Sequence, residues 1–449
     1  MSVGGDIVLR GGTVVAMDAS RTVTVADVHV VAGRIAAITP VGASTPAGAR
    51  VLDVGGLHVL PGFVQGHTHL GQALLRGLAE GRDLLRWLRE RVWPLEAAHD
   101  DESAYCSGLL GAADCLLSGT TTIQDIGIVT HMDAIFRAID DSGLRAIAGK
   151  CLMDEGLGVP AVLAQPTAQA LDEVRALHGR WHGAAGGRIH ALLCPRFILS
   201  CSKAMWEGVV ALAHELSLPV HTHLLEHANE ETEVTALLGE GQLEWLDALG
   251  VLDTQLSIAH GVQFEARHAA RLAGRPLGII HCPSANLKLG SGIADLPYLD
   301  GVPGVRLGIG CDGAPCNNDM DVLEEMRLAA LLQGIKSGPG RVASERVIAM
   351  ATIDGAAAIG LDAEIGSLEP GKRADLVVLD LDKPGSFGAD AVSVYDRIVY
   401  GTAREAVVHV LVDGIARVEH GALTFTDAKQ MLARARAAIG ALLGRAQLA

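Results

Sequence analysis

The segment Leu60-Pro61-Gly62-Phe63-Val64-Gln65-Gly66-His67-Thr68-His69 joins an apolar run to a His-x-His pair. Side chains two residues apart lie on the same face of a β-strand. A strand that ends in this way directs both imidazoles to one point just beyond its carboxyl end. Two converging neutral imidazoles are a natural start for a divalent-metal site. The segment therefore predicts a buried strand that presents His67 and His69 to a metal.

Seven similar apolar runs follow, and helical patterns lie between most of them. Alternating runs of this kind are typical of βα repeats and a parallel sheet. Eight such strands predict an α/β fold, a (β/α)8 TIM-like barrel with its chemistry at the carboxyl ends of the strands. The eight runs end near Val64, Gln124, Ala148, Leu193, Val220, Ala259, Ile280 and Ile309.

The two ends of the chain have a different sequence pattern from the βα repeats of the centre. Short strands punctuated by glycine and polar turns fill the first 56 residues, and similar strands return after residue 366. We therefore expect three units: a small composite β-sandwich domain from residues 1–56 and 366–425, a catalytic barrel over 57–365, and a C-terminal helix over 426–449.

Composition limits the partners of the chain. Its formal net charge is −16, from 52 acidic and 36 basic residues, which argues against nucleic acid. No basic and apolar leader is visible, and no window reaches the roughly 20 apolar residues that cross a bilayer. The eight cysteines form no CxxC pair, so a zinc ribbon is not expected. These features predict a cytoplasmic protein with reduced thiols and no membrane partner.

Other potential ligands also stand at strand ends. Asp312 directly follows the eighth run, and a carboxylate there can ligate a metal and accept a proton from water. His221 and His223 share one face of the fifth strand, so their spacing alone does not decide which of the two binds metal. Glu226, three residues beyond His223, can carry protons without being a ligand.

Two further histidines end their own runs. The position of His260 at the end of the sixth strand favours a role in the site. His281 ends the seventh, where substrate contact and a structural role are equally compatible with the sequence. A divalent metal lowers the pKa of bound water toward about 7, and the resulting hydroxide attacks an electrophilic carbon. The pattern therefore predicts hydrolysis at a C–N, C–O or C–halogen bond.

The motifs resemble those of the amidohydrolase superfamily over nearly the whole chain. The run from Pro61 to His69 is similar to its first-strand signature, and Gly366–Val377 to its return to the small β-domain. His281–Ala294 and Asp312–Asn318 resemble the chlorohydrolase and deaminase branch. That branch includes S-adenosylhomocysteine/methylthioadenosine deaminases, triazine hydrolases and guanine deaminases.

The resemblance implies a set of roles. It implies one divalent metal, usually zinc, with Fe²⁺ or Mn²⁺ as alternatives, and a homo-oligomer. Glu226 would shuttle a proton to the ring nitrogen, His260 would orient the water, and Asp312 would pass the proton of the water to ammonia. Dinuclear relatives carry a lysine at the end of strand 4, whereas this strand ends Leu193-Cys194-Pro195-Arg196. The metal ligands implied are His67, His69, His223 and Asp312.

The candidate substrate contacts combine features of adenosine-type deaminases and of guanine deaminase. Trp87 and Glu96 match positions where adenosine-type deaminases stack the base and contact ribose hydroxyls. Arg196 departs from those enzymes and is more similar to guanine deaminase, where an arginine donates to the purine oxygen. His281 is the fourth candidate for substrate binding. Lys150, after the third strand, is expected to be a substrate-side or surface charge.

These observations favour a metal-dependent aminohydrolase that removes an exocyclic amine from a purine-like or related small-molecule heterocycle. One alternative is a hydrolase of the same fold that cleaves a triazine C–Cl or C–NHR bond or a cyclic amide. The other is a catalytically silent barrel with a structural role, which predicts a missing ligand or a missing Glu226. Neither is missing from the sequence.

Overall fold

The computed structural model describes residues 6–389 and 391–446. The outermost parts of the predicted terminal units, residues 1–5 and 447–449, lie outside the described residues, as does residue 390.

Nineteen strands are formed within the described residues. In chain order they are β1 Ile7–Val15, β2 Val23–Val31, β3 Arg34–Thr39, β4 Arg50–Asp53, β5 His58–Pro61, β6 Phe63–Thr68, β7 Thr120–Ile126, β8 Arg145–Gly149, β9 Cys151–Leu152, β10 Ile189–Ala191, β11 Cys194–Pro195, β12 Val220–Leu224, β13 Leu256–His260, β14 Leu277–His281, β15 Val305–Ile309, β16 Leu376–Leu379, β17 Val407–Val412, β18 Ile415–Glu419 and β19 Ala422–Leu423.

The α-helices lie mainly between the central strands. They are α1 Leu84–Trp87, α2 Trp93–Glu96, α3 Asp101–Leu117, α4 Met132–Ser142, α5 Thr167–Trp181, α6 Ala184–Gly187, α7 Lys203–Leu216, α8 Ala228–Leu238, α9 Gln242–Ala248, α10 Ala266–Leu272, α11 Pro283–Lys288, α12 Leu296–Asp300, α13 Ala314–Asn317, α14 Val322–Lys336, α15 Ser344–Met350, α16 Ile353–Ala358, α17 Val394–Gly401 and α18 Ala428–Ala446. Short 3₁₀ or π turns span Leu70–Leu75, Leu88–Val92, Ile198–Ser200, Val251–Asp253 and Arg404–Ala406.

Eight of the strands form the central parallel sheet, in the order β10-β8-β7-β6-β15-β14-β13-β12. All pairs in it are parallel, because a helical segment returns the chain to the same end of the sheet after each strand. An isolated parallel bridge also joins Leu193, just after β10, to Val220 at the start of β12. The eight parallel strands predicted from the apolar runs are therefore confirmed.

The interior of this sheet is closely packed. Every residue of β7 and β14 is buried, as expected for strands covered on both faces. Glycines allow the close approach of side chains from other strands. A Cβ on Gly66 would lie 2.5 Å from Cδ1 of Ile280, and one on Gly308 would lie 2.9 Å from the same atom. The packing holds the carboxyl ends of the strands in a fixed arrangement.

The second sheet has nine strands, in the order β19-β18-β17-β16-β5-β1-β2-β3, with β4 paired to β1. Both ends of the chain contribute to it, as predicted. They are hydrogen-bonded into one sheet rather than the two of a sandwich, because β5 pairs with β1 on one side and with β16 on the other.

Two features attach the ends of the chain to the central sheet. Arg145 at the start of β8 forms a buried double hydrogen bond with Asp375 beside β16, at 2.7 and 3.1 Å. The C-terminal helix α18 packs on α3 and α2 and on the turn that follows His69. In the part of the chain that the structure describes, no helix is both long enough and apolar enough to cross a membrane.

Candidate active site

The four predicted metal ligands meet at the carboxyl ends of β6, β12 and β15. Ligand atoms of His67, His69, His223 and Asp312 all lie within 4.8 Å of one another. Oδ1 of Asp312 is 3.3 Å from Nε2 of His67 and 3.3 Å from Nε2 of His69. Atoms bound to one tetrahedral zinc at about 2.0–2.1 Å lie about 3.3 Å apart. The spacing of these atoms therefore suits one shared ion.

Hydrogen bonds at the second ring nitrogen orient two of the histidines. Nδ1 of His69 lies 2.7 Å from the carbonyl oxygen of Ile126, and Nδ1 of His223 lies 2.6 Å from that of Arg196. A carbonyl oxygen only accepts, so each Nδ1 carries the proton and each Nε2 keeps a free lone pair. The two Nε2 atoms lie 3.1 Å apart. Both imidazoles are thus prepared to bind a cation.

His221 orients His67 in the same way. Nδ1 of His221 faces the carbonyl and hydroxyl oxygens of Ser257, at 3.1 and 2.9 Å, so its Nε2 is an acceptor. That Nε2 lies 2.9 Å from Nδ1 of His67. Nε2 of His67 is buried and has no hydrogen-bond partner among the described residues. Of the two histidines on β12, His223 therefore belongs to the cluster of potential ligand atoms, and His221 lies behind His67.

The electrostatics of the cluster match a cation site. Burial lowers the pKa of His67 and His223, and burial with the neighbouring His67 lowers the pKa of His69 to about 3. Burial alone would raise the pKa of Asp312, but the close approach of His67, whose Nε2 lies 3.3 Å from Oδ1, holds this pKa well below its usual range. The cluster therefore presents neutral imidazoles and a charged carboxylate, the forms that bind metal. The orphaned Nε2 of His67 and this donor set fit a divalent ion.

Asp312 is held in an unusual backbone conformation. Its φ is 63°, in the left-handed region, and its amide donates to the carbonyl oxygen of His67 at 3.1 Å. His260, at the end of β13, has a φ of 76°. Non-glycine residues in this region cost about 1–3 kcal/mol and are concentrated at functional sites. The fold thus maintains strain at two of the predicted catalytic positions.

Glu226 and His260 lie together beside the ligand cluster. Nε2 of His260 is 3.4 Å from Oε2 of Glu226 and 3.9 Å from Oδ2 of Asp312. Nδ1 of His260 donates to Oδ1 of Asn286 at 2.9 Å, which leaves its Nε2 as an acceptor. Burial, with the nearby charge of Asp312, raises the pKa of Glu226 to about 8. At neutral pH Glu226 is therefore a carboxylic acid that can give up a proton.

A cavity opens above these groups. One part of its wall is apolar, from the α1 segment, Phe197 and Leu289, and the other part is the ligand cluster. It is lined by His69, Leu84, Trp87, Leu88, Arg196, Phe197, His223, Glu226, His260, Leu289 and Asp312. The cavity suits a flat, mostly apolar molecule with a few polar atoms.

Arg196 and Glu96 form a buried pair at the wall of the cavity. Nη1 of Arg196 donates to Oε2 of Glu96 at 2.7 Å, and Nε2 of Gln72 donates to Oε1 at 2.7 Å. Both oxygens of Glu96 are therefore engaged, and only Arg196 of this pair lines the cavity. The sequence alone did not indicate Gln72, because nothing in its local pattern reveals a partner 24 residues away.

The remaining sequence candidates lie further from the cavity. His281 is buried, is not among the lining residues, and its ring nitrogens lack partners within the described residues, so its role as a substrate contact stays a prediction. Lys150 is also buried. It pairs with Glu173 at 2.8 Å in a separate cavity between α4 and α5. The expectation of a surface or substrate-side charge at Lys150 was wrong, because α5 covers it and supplies its partner.

Two residues that complete the site were not recognised as functional from the sequence. Ser257 orients His221, and the hydroxyl of Ser291 donates to Oε1 of Glu226 at 3.2 Å. Serines in strands and loops are too common for their type alone to signal such a role.

Comparison with known proteins places the chain in a family. The amidohydrolase family profile matches residues 58–416. A 5-methylthioadenosine/S-adenosylhomocysteine deaminase of Moorella thermoacetica is 35% identical over 393 residues, covering 87% of this chain and 89% of that protein. A 5'-deoxyadenosine deaminase of Methanobrevibacter smithii is 34% identical over 391 residues, covering 87% and 88%.

The solved structures agree with the sequence comparison. An adenosine deaminase from Xanthomonas campestris with bound zinc has a TM-score of 0.90 and 29% identity, and the match covers 98% of this chain and 99% of that one. The family uses a divalent metal, and the relatives support a hydrolytic enzyme that acts on carbon–nitrogen bonds. The family resemblance predicted from the motifs is confirmed: the chain belongs to the amidohydrolase family.

Proposed function

We propose that this chain is a mononuclear, zinc-dependent aminohydrolase that replaces an exocyclic amine of a heterocyclic base by oxygen and releases ammonia. The observation that carries the proposal is the convergence of three imidazole Nε2 atoms and one carboxylate beside a second, buried carboxyl group, that of Glu226. Relatives more than 30% identical over most of the chain are named deaminases of adenosine-like compounds.

The donor set favours zinc. His67, His69 and His223 would supply nitrogen and Asp312 oxygen, a combination that suits a borderline ion with four ligands. When bound, the metal acts as a Lewis acid that makes water a competent nucleophile at neutral pH. His221 would hold His67 in the tautomer that the ion requires.

Two side chains would move the protons of the reaction, and a third would orient the water. Glu226 gives its proton to the ring nitrogen next to the carbon under attack, so that negative charge does not accumulate on the ring. Asp312 would take one proton from the attacking water and pass it to the departing amine, and the remaining hydroxyl proton would return to Glu226 as the C=O bond forms. His260 orients the water through its unprotonated Nε2. The C–O bond forms, the C–N bond breaks, and ammonia leaves.

Arg196 favours a substrate with an oxo group. Its Nη1 is bound to Glu96, and no hydrogen bond within the described residues uses its Nε or Nη2. A guanidinium in a cavity wall with free N–H groups suits a carbonyl oxygen on the ring. Trp87 supplies an apolar surface for the ring itself. Among aminated heterocyclic bases, Arg196 therefore favours those that also carry an oxo group, a group that the adenine ring of the compounds named for the relatives lacks.

We also propose that the eight parallel strands close into a barrel and that the chain divides into three units. The bridge between Leu193 and Val220, and the hydrogen bond from the amide of His221 to the carbonyl oxygen of Leu193 at 2.9 Å, support closure of the eight strands into a barrel. Residues 57–365 would then be the catalytic unit, residues 1–56 and 366–425 the composite β-domain, and 426–449 a terminal helical unit.

A screen for ammonia release tests the reaction class. The zinc-loaded enzyme is incubated with adenine, guanine, 5'-deoxyadenosine, a pterin, and amino-, alkylamino- and chlorotriazines. We expect ammonia from oxo-bearing aminated bases. Release of chloride or alkylamine from the triazines, with no ammonia from any aminated base, would favour the alternative hydrolase and reject the proposal.

Glu226→Gln tests the proton shuttle. The amide keeps the shape of the side chain but has no acidic proton, so we expect kcat to fall about 10²- to 10⁴-fold with metal content unchanged. Glu240→Gln, at an exposed position on the same segment, is the matched control and should behave as wild type. Retained turnover in Glu226→Gln would remove this residue from the mechanism.

A further inference from the structure

We propose that the C-terminal helix α18 positions Arg196 at the substrate cavity, through contacts of Arg445 and Leu442 with the segment that carries Glu96. The inference rests on the proposed function, in which Arg196 recognises an oxo group. Arg445 and Leu442 would be positioning residues, because neither lines the cavity.

Arg445 holds the turn between α2 and α3 at three points. Its Nε donates to the carbonyl oxygen of Ala98 at 2.7 Å, and its Nη2 donates to Oγ of Ser103 at 3.2 Å. Its Nη1 forms an ion pair with Asp100 at 2.9 Å. Asp100 and Ser103 form the capping box of α3, so one guanidinium connects α18 to both ends of this turn.

Leu442 adds an apolar contact to the same region. It is fully buried and packs with Leu75, Leu95 and Ala98. Leu75 ends the 3₁₀ turn that begins just after His69 and contains Gln72, whereas Leu95 belongs to α2 beside Glu96. The helix therefore packs on both of the segments that the hydrogen bond from Gln72 to Glu96 joins.

Glu96 links the α2–α3 turn to Arg196 in the cavity wall. It precedes Ala98 by two residues, and its own carbonyl oxygen accepts from the amide of His99 at 3.2 Å. Its carboxylate is the acceptor for Nη1 of Arg196. A shift of the α2–α3 turn would move this acceptor, and the guanidinium of Arg196 would follow it. The four predicted metal ligands lie in β6 and β12 or just after β6 and β15, and none belongs to α2 or to the α2–α3 turn. We therefore expect a shift of that turn to leave them in place.

The prediction is a change in substrate binding without a change in chemistry. Guanine and 2-aminopurine carry the same amine, and only guanine has an oxo group. We expect Arg445→Met to raise the KM for guanine about tenfold, with kcat within about twofold of wild type. The KM for 2-aminopurine and the metal content should not change. Where a compound is not turned over, its competitive inhibition constant replaces KM.

Arg434→Met is the matched control on the same helix. Arg434 forms an exposed bidentate pair with Glu102 in the first turn of α3, at 2.6 and 2.7 Å, and makes no hydrogen bond to Ala98, Asp100 or Ser103. The Arg434→Met substitution should leave both KM values unchanged.

Arg445→Lys keeps the charge and part of the contacts of Arg445, so it should recover part of the discrimination between guanine and 2-aminopurine. Equal loss of guanine and 2-aminopurine binding in Arg445→Met, or no loss of either, would overturn the inference.

Arg196→Met separates this inference from the proposed function. If this variant keeps the preference for guanine, then Arg196 does not read the oxo group and the substrate proposal fails. If it loses the preference while Arg445→Met retains it, the proposed function stands and only the role of α18 is rejected. Leu442→Ala gives a second perturbation of the helix and should shift the KM for guanine in the same direction as Arg445→Met.

Discussion

The histidines of this site are distinguished from one another by the partner of one ring nitrogen. His69 and His223 donate to backbone carbonyl oxygens, whereas His67 donates to another imidazole, that of His221. Spacing along β12 places His221 and His223 on the same face, and both could be ligands. Only the position of Ser257 on the neighbouring strand makes His221 an acceptor for His67.

His221→Ala should therefore weaken metal binding although His221 faces no ion. Without its acceptor, Nδ1–H of His67 is buried unsatisfied and the ring is free to turn, so we expect metal affinity to fall about 10- to 100-fold. Competition with a chelator measures this. His214→Ala, on the exposed face of α7, is the control. An affinity equal to wild type would show that His67 needs no such support.

The pKa of Glu226 predicts the pH dependence of the reaction. Burial and the charge of Asp312 raise this pKa to about 8, so the acid form predominates below pH 8 and is lost above it. Since the acid form is the proton donor, kcat/KM should fall as pH rises through about 8. A pH–rate profile with metal content checked at each pH measures this fall. A rate that stays constant to pH 9.5 would contradict the assignment.

At the scale of the elements, the site depends on how closely β15 approaches β6. A Cβ on Gly310 would lie 2.7 Å from the carbonyl oxygen and 2.8 Å from the amide nitrogen of His67. These are backbone atoms of the strand that carries two ligands, and they can move only if the strand moves. The glycine before Cys311 and Asp312 therefore has a packing role that its local sequence does not reveal.

Gly310→Ala should displace His67 and lower both stability and metal content. Overpacking of this kind costs about 1–3 kcal/mol. Urea denaturation and metal analysis of the purified protein measure the two effects. Gly179→Ala, on α5 with open space around the glycine, is the control and should be neutral or slightly stabilising. Full metal occupancy in Gly310→Ala would show that β6 adapts without cost.

At the scale of the whole molecule, a buried ion pair joins the central sheet to the sheet built by the chain ends. Arg145 and Asp375 are separated by 230 residues, and the side chains of both are almost completely buried. Asp413 is a second partner of the same guanidinium. Such a pair holds two units in one relative position, because either charge left alone would be buried without compensation.

Arg145→Met should destabilise the protein by about 3–5 kcal/mol, since Asp375 would remain buried without its partner. The midpoint of urea denaturation measures this. Arg175→Met breaks the exposed pair with Glu215 and should cost less than about 1 kcal/mol. Equal effects of the two substitutions would mean that the buried pair does not hold the sheets together.

The local sequence was sufficient for the strands, their parallel arrangement and the identity of the residues at their carboxyl ends. His67, His69 and Asp312 are identifiable because each follows an apolar run, and strand periodicity and burial are local properties. The partners of those residues were not identifiable in this way. The Gln72–Glu96–Arg196 chain, the support of His67 by His221 and the covering of Lys150 by α5 all join side chains from separate segments. Such hydrogen bonds depend on distances across the fold, and these exist only once the strands and helices have packed.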